Sequence, residues 1–526
     1  MPATPVISTR FDNFLFFCKN NMKDQIKKAW GASYRYRLWL LAVLLGVNTL
    51  VVLDVLMTAV KGDRYFVAHE DEVIYYGSAK VFAETGSVQA ESCITEDVSP
   101  VGQINWYGPG YSVVYGMLRL LFGDGLSVTI WVHFALALLA VFATLLISGK
   151  PESNLLAANA FFATTQFTVF IFSYFPETLH FFMATILAGV LVKIHETSGD
   201  EKRMLARWQM IYICLCLTFM LCRITMIFWL AGLIPLAANR KQLLHLVVLF
   251  IGGVLVALVY MKLFIAPAYA SDMHKINELY KLNLWSFAQQ SIKAFVFQLK
   301  ELIFKSGQPS YLVLGLMVIV AVLFFVRRSR VSLAAFLIAS TLVITLLCYY
   351  TASPFFFVKQ TAMLVPLLLI VAIRESPSYV KYWIGLSMVV LIPSTWAQQA
   401  ASIAEHQAAY ANKANNVSFE EALQSLPDHI DKSGSVVILW CYSEYDYGHA
   451  AQALLPYSTR NGEPIMYTTN IVFDSNAPNE ERFRLHNKLK VDYILSRQPI
   501  DWKNLNLKLQ TSFFFFYELN KSCQNC

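Results

Sequence analysis

The stretch RRSRVSLAAFLIASTLVITLLCYY, residues 327–350, decides the fold. From Val331 to Tyr350 it carries no charge. A run of ~20 such residues rises about 30 Å as a helix, the thickness of a bilayer's hydrocarbon core. A soluble helix would interrupt the run with a polar face at helical period. Inside lipid the backbone must bond to itself, so a single run crosses as a helix. Arg327, Arg328 and Arg330 stand just before it, and basic residues at a span end mark the cytoplasmic side. Leu38–Val60, Leu126–Ser148, Leu243–Ile265 and Tyr311–Val326 read the same way. Of the 526 residues 56% are hydrophobic and 15% charged, against roughly a quarter charged in soluble proteins. The net charge of +7 invites a nucleic-acid partner, but the Lys and Arg residues lie mostly in short loops between apolar runs. Topology explains them, and no nucleic acid is expected.

A full threading gives about eleven spans, near 38–60, 126–148, 154–175, 177–193, 208–222, 224–238, 242–265, 311–326, 331–350, 359–373 and 379–397. The cytoplasmic loops then contain Lys150, then Lys202, Arg203 and Arg207, then Arg240 and Lys241, then the Arg327–Arg330 cluster, then Arg374 and Lys381. Residues 1–37 form a basic cytoplasmic segment with no evident signal peptide, in which Phe11–Lys28 reads as an amphipathic helix on the inner leaflet. The external side receives loop 61–125, including the apolar piece Pro109–Phe122, which is too short to span. It also receives 398–526, where Ser435–Trp440, Lys490–Ser496 and Gln510–Leu519 read as strands. Tyr447–Leu455 and Asn479–Lys488 read as helices between them. The expected architecture is an α-helical polytopic membrane protein, 38–397, followed by a small external α/β domain. A bacterial inner membrane with a periplasmic C-terminus is preferred; an ER membrane with a lumenal one has the same sidedness.

Candidate chemistry gathers on that external side. His69-Glu70-Asp71-Glu72 opens a segment in which Val73, Tyr76, Ala79, Val81 and Phe82 make an apolar stripe at helical spacing. Acids beside a membrane are costly unless solvated or used, and a helix N-terminus favours their ionised form. Tyr107-Gly108-Pro109-Gly110 precedes the short apolar helix. Glu177 and His180 open an outer span end, Arg223 occupies a tight turn between spans, and Lys359-Gln360 precede a span containing Pro366. Each alone is as readily an anchor, a cap or a snorkelling charge. Together they put acids and cations on one side of the membrane, where a bundle can converge them.

In their order and common sidedness these features resemble the GT-C superfamily of polyprenyl-phosphate-sugar glycosyltransferases, which includes aminoarabinose transferases of lipid A and protein O-mannosyltransferases. The resemblance covers roughly 38–375. It implies a GT-C-like helical fold and inverting transfer of a sugar from a polyprenyl-phosphate donor to an acceptor hydroxyl of a glycan, lipid or protein. It gives Asp71 the role of general base and Glu72 a supporting role. It assigns Glu177 to substrate, and Arg223 and Lys359 to the lipid phosphate; Tyr107 and His180, beside these positions, are expected to bind substrate as well. The sequence departs from the family at Lys359-Gln360, where Arg followed by Tyr is usual, and at Tyr107-Gly108-Pro109, where Lys-Pro-Pro is frequent.

No Gly-rich phosphate loop of the P-loop type occurs, which argues against ATP hydrolysis. His69, Glu70 and Asp71 cannot all point one way on a helix, and no second His pair stands at ligand spacing. No cofactor is expected, with a divalent metal left open. Cys214, Cys216, Cys222 and Cys348 read as small packing residues. The competing reading is a transporter or lipid flippase with an external accessory domain, for which intramembrane charges and Pro-interrupted spans would mark the path. The chain shows no clear repeated halves, and its polar residues cluster at one side.

Overall fold

A computed structural model describes residues 6–61, 70–88, 93–94, 108–123, 126–173, 175–197, 202–265, 284–305, 308–349, 354–411, 423, 425–431, 435–440, 459–460, 463–464, 466–470, 491–496, 498–512 and 514–520. Seven of the described helices are long and apolar enough to cross a membrane. The chain is an integral membrane protein whose helices follow the expected spans, with differences that have physical causes.

The first helix, α1 (Val6–Lys61), is continuous over 56 residues. The expected surface helix at Phe11–Lys28 is therefore the N-terminal part of the same rod that carries the first span. No Pro or Gly breaks it before Gly31, so nothing in the sequence stops the helix from propagating. The segment expected to span at 154–175 is broken: α5 (Pro151–Phe161) gives way to the short turns Thr165–Thr168 and Phe170–Phe172. Ile224–Leu236 is a 3₁₀ helix throughout, 13 residues long. At ~2 Å per residue it covers about 26 Å, where an α-helix would cover about 20 Å.

Val365–Glu375 is the hub, with every residue from Val365 to Arg374 buried. It packs against α5, α7 (Glu177–Glu196) and the helices Gln308–Arg327 and Ser378–Ala411. Apolar burial does not drive helices together in lipid, so polar bonds and close packing matter more. Asn48 of α1 donates to Asn159 of α5 at 2.9 Å, and Asn159 returns a bond to the Leu41 carbonyl at 3.1 Å. At the basic end, Glu152 is held by Arg37 at 2.8 Å, by Lys381 at 2.7 Å and by the Tyr382 hydroxyl. Arg374 bonds Glu196 at 2.6 Å, and Lys150 bonds Glu375 at 2.9 Å.

At the opposite end, α2 (Glu70–Thr85) and α3 (Pro109–Phe122) pack closely together. The outer face of α3 exposes Val113, Met117, Leu120, Leu121 and Phe122, as suits a helix lying at the membrane interface.

The C-terminal region forms a six-stranded sheet, in order β1-β5-β2-β6-β8-β7. Its strands are β1 (Cys93–Ile94), β2 (Ser435–Trp440), β5 (Met466–Asn470), β6 (Tyr493–Ser496), β7 (Leu505–Gln510) and β8 (Phe515–Leu519). A separate antiparallel pair joins β3 (Thr459–Arg460) to β4 (Glu463–Pro464). β1, β5, β2 and β6 run parallel; β8 and β7 pair antiparallel to the far edge. The strand expected at Gln510–Leu519 is in fact the turn and second arm of a hairpin, because Thr511 bonds the Phe514 carbonyl and reverses the chain. The expected helices Tyr447–Leu455 and Asn479–Lys488 lie outside the described residues.

Candidate active site

Pro176 caps the start of α7 and leaves Glu177 in its first turn. His180, three residues on, lies on the same helical face. Both are buried, Glu177 completely. Arg223 follows α8 (Lys202–Met220), where the chain turns sharply into the 3₁₀ helix. Its backbone is extended there, and its side chain is 5% exposed. One guanidinium nitrogen, Nη1, contacts Glu177 Oε1 at 3.1 Å and His180 Nδ1 at 3.0 Å. The other, Nη2, donates to Gln360 Oε1.

Lys359 is wholly buried. Its ammonium lies 4.4 Å from the centre of the Phe175 ring and 5.7 Å from that of Tyr75, a cation–π arrangement. Its charge acts on both Glu177 and His180. The structure thus brings Glu177, His180, Arg223 and Lys359 into one buried cluster. Tyr75, Phe175 and Gln360 complete it, and the sequence reading did not assign them.

Glu177 Oε2 and His180 Nε2 have no hydrogen-bond partner among the described residues. Arg223 can only donate, so His180 Nδ1 accepts and the ring proton belongs on Nε2. The cluster therefore presents a free acceptor and a free donor. A hydroxyl group can meet both.

The interfacial helices are seated on the same turn. Gly110 N–H donates to the Leu221 carbonyl at 3.1 Å. Gly108 has φ 81°, and a side chain on it would come within 2.5 Å of that carbonyl oxygen. On Gly110 a Cβ would lie 2.3 Å from Cys222 Sγ. Only glycine at both positions lets the start of α3 lie against the residues that carry Arg223. Behind it, Tyr75 meets Tyr111 at 4.7 Å, Tyr111 stacks on Tyr115 at 4.2 Å, and the Tyr115 hydroxyl bonds His133 Nε2 at 2.6 Å.

Asp71 and Glu72 occupy the first turn of α2; their side chains, like the whole of Tyr107, lie outside the described part. Asp71 stands one turn before Tyr75, on the same helical face by periodicity. Among the described residues no group of three or more His, Cys, Asp or Glu side chains could hold a metal ion.

A polytopic helical bundle with two interfacial helices over a buried cation–carboxylate cluster, and a mixed sheet after it, is a fold shared with solved membrane-protein structures. The solved structures it resembles include the archaeal oligosaccharyltransferase AglB from Archaeoglobus fulgidus in complex with an inhibitory peptide and a dolichol-phosphate. That likeness has a TM-score of 0.52 at 12% identity and covers 87% of this chain and 69% of the other. ArnT from Cupriavidus metallidurans matches in its apo state with a TM-score of 0.51 at 10% identity, over 90% of this chain and 97% of the other. The same protein bound to undecaprenyl phosphate matches at 0.50 and 10%, over 91% and 97%. No protein-family model and no curated protein matches the sequence.

Proposed function

We propose that this protein is a membrane glycosyltransferase that moves a sugar from a polyprenyl-phosphate donor to an acceptor hydroxyl, with inversion at the anomeric carbon. The observation that carries the reading is the buried cluster of Glu177, His180, Arg223, Gln360 and Lys359 beneath α2 and α3. It supplies two fixed cations where a departing lipid phosphate needs charge stabilisation. The similarity to ArnT, solved with undecaprenyl phosphate, and to AglB, solved with dolichol-phosphate, supports the donor class.

In this mechanism Asp71 takes the proton of the acceptor hydroxyl as its oxygen bonds to the anomeric carbon. The bond from that carbon to the phosphate oxygen breaks on the opposite side, and polyprenyl phosphate leaves with the electron pair. A solvated Asp, with pKa about 3.9, is a weak base. Closure around the substrate would raise its basicity by desolvation. Glu72 supports the first turn of α2, and Tyr107 borders the substrate from the approach to α3. Arg223 and Lys359 receive the charge of the leaving phosphate in a water-poor site, where fixed cations act strongly. Glu177 holds Arg223 through Oε1 and turns Oε2 to a sugar hydroxyl, with His180 Nε2–H as donor to the same group. The site faces the periplasm of a bacterial inner membrane, with the N-terminus cytoplasmic and the C-terminal domain periplasmic.

The test is release of free polyprenyl phosphate by purified protein from a panel of polyprenyl-phosphate sugars. The wild type is expected to release it and Asp71→Asn to release none while still binding donor. Equal release by both would remove Asp71 from the chemistry.

A further inference from the structure

The strand β1 does not come from the C-terminal region whose sheet it joins. It belongs to the loop between α2 and α3, more than 300 residues upstream of its partner. Cys93 stands opposite Thr468 and Ile94 opposite Thr469 of β5, in parallel register. β5 pairs in turn with β2, where Val437 is opposite Thr468 and Ile438 opposite Thr469. β1 therefore extends the sheet in line and covers the edge that β5 would otherwise leave open. It begins eight residues after α2 ends at Thr85 (93 − 85 = 8), and α2 touches it. Eight residues reach at most about 28 Å.

We propose that the C-terminal domain is a working part of the candidate active site, because its sheet, through β1, fixes the C-terminal end of α2 and so the placement of the Asp71 turn. This rests on the glycosyltransferase reading for its catalytic consequence and on the strand pairing for its geometry. α2 is anchored on one flank by α3 and at Tyr75 by the Lys359 cluster. α3 packs along α2 as far as Phe82, whose ring a Cβ on Gly116 would meet at 2.4 Å, and β1 adds the contact with the C-terminal sheet just beyond it. A misplacement of about 1 Å at a reacting group costs up to ~100-fold in rate. A two-residue strand is too short to be stable alone, but it gains from a sheet already built. Cys93 and Ile94 are positioning residues in this scheme.

The experiment begins with a cross-link. Opposed residues on neighbouring strands, about 4.8 Å apart, are within disulfide range. Thr468→Cys should therefore oxidise with the native Cys93 in a protein whose Cys441, Cys523 and Cys526 are replaced by serine. A protease site inserted between the last membrane helix and β2 then reports it: the two fragments stay joined until reduced. In a parallel pair one of two consecutive amides faces the partner strand, so Cys93→Pro and Ile94→Pro are tested separately. At least one should speed amide exchange across Glu70–Thr85 and slow polyprenyl phosphate release by about tenfold or more. Oxidised Ile94→Pro/Thr468→Cys should recover both, which a general folding defect would not. Absence of the cross-link, or unchanged exchange across α2 in both proline variants, overturns the proposal. Cross-linking and exchange need no turnover, so a wild type that releases nothing would count against the glycosyltransferase reading alone.

Discussion

Arg223 holds three partners with one guanidinium: Glu177 and His180 from the first turn of α7, and Gln360 from the helix that carries Lys359. Removing one member of a buried ion pair leaves its partner uncompensated, at a cost of about 3–5 kcal/mol. Arg223→Ala is therefore expected to lower thermal stability and weaken binding of radiolabelled polyprenyl phosphate together. Arg223→Lys keeps the charge and loses the fork, so its donor affinity should fall between the two. A wild-type affinity in Arg223→Ala would take the residue out of the site. His180 makes a narrower prediction. Its Nδ1 accepts from Arg223 and leaves an Nε2–H for substrate, a bond to a neutral hydroxyl worth about 1 kcal/mol. His180→Ala should slow release several-fold and His180→Gln less, since an amide can also accept and donate; equal losses would deny the bond. The charged members of this cluster were legible in the sequence because charge near lipid demands a reason. Tyr75, Phe175 and Gln360 were not. A neutral side chain in an apolar stretch looks the same whether it lines a site or packs a core.

At the scale of elements, the run Gly108-Pro109-Gly110 does more than turn the chain. It lets the start of α3 lie on the backbone of residues 221–222, next to Arg223. Gly110→Ala puts a methyl group 2.8 Å from the Cys222 Cα as well as against its sulfur. Backbone cannot move aside as a side-chain tip can, so the helix must lift, at a cost of about 1–3 kcal/mol. The expected outcome is a lower melting temperature with a disproportionate loss of release activity. A fall in stability with activity intact would show that α3 need not touch that turn. Element existence was well marked in the sequence, since long uncharged runs have one solution in lipid. Element continuity was less so. Phe11–Lys28 changes composition against the span that follows, yet helical bonding runs through the change from Val6 to Lys61. The 3₁₀ winding of Ile224–Leu236 has no signature in hydropathy, which measures what the side chains prefer and not how tightly the backbone is wound.

The whole molecule is constrained by a strand pair that joins distant parts of the chain. β1 follows the first span and β5 follows the last, and they are hydrogen-bonded neighbours. The loop after span one and the chain after the final span must therefore share a side. That requires an even number of crossings between them and an odd total, which about eleven satisfies and ten or twelve would not. The pairing was invisible to sequence reading because a two-residue strand, Cys93–Ile94, has no period to detect. It now bears on the charge argument independently. The basic loops, including Arg327 and Arg328, fall on the opposite side from the sheet in the same threading. Single cysteines introduced near 90 and 470 into a cysteine-free protein should then react with an impermeant reagent added outside intact cells, and one at 328 only after permeabilisation. Labelling at 90 without 470 would break the shared side that the sheet demands. Labelling at 328 in intact cells would invert the protein and move the Arg223 cluster to the cytoplasmic face.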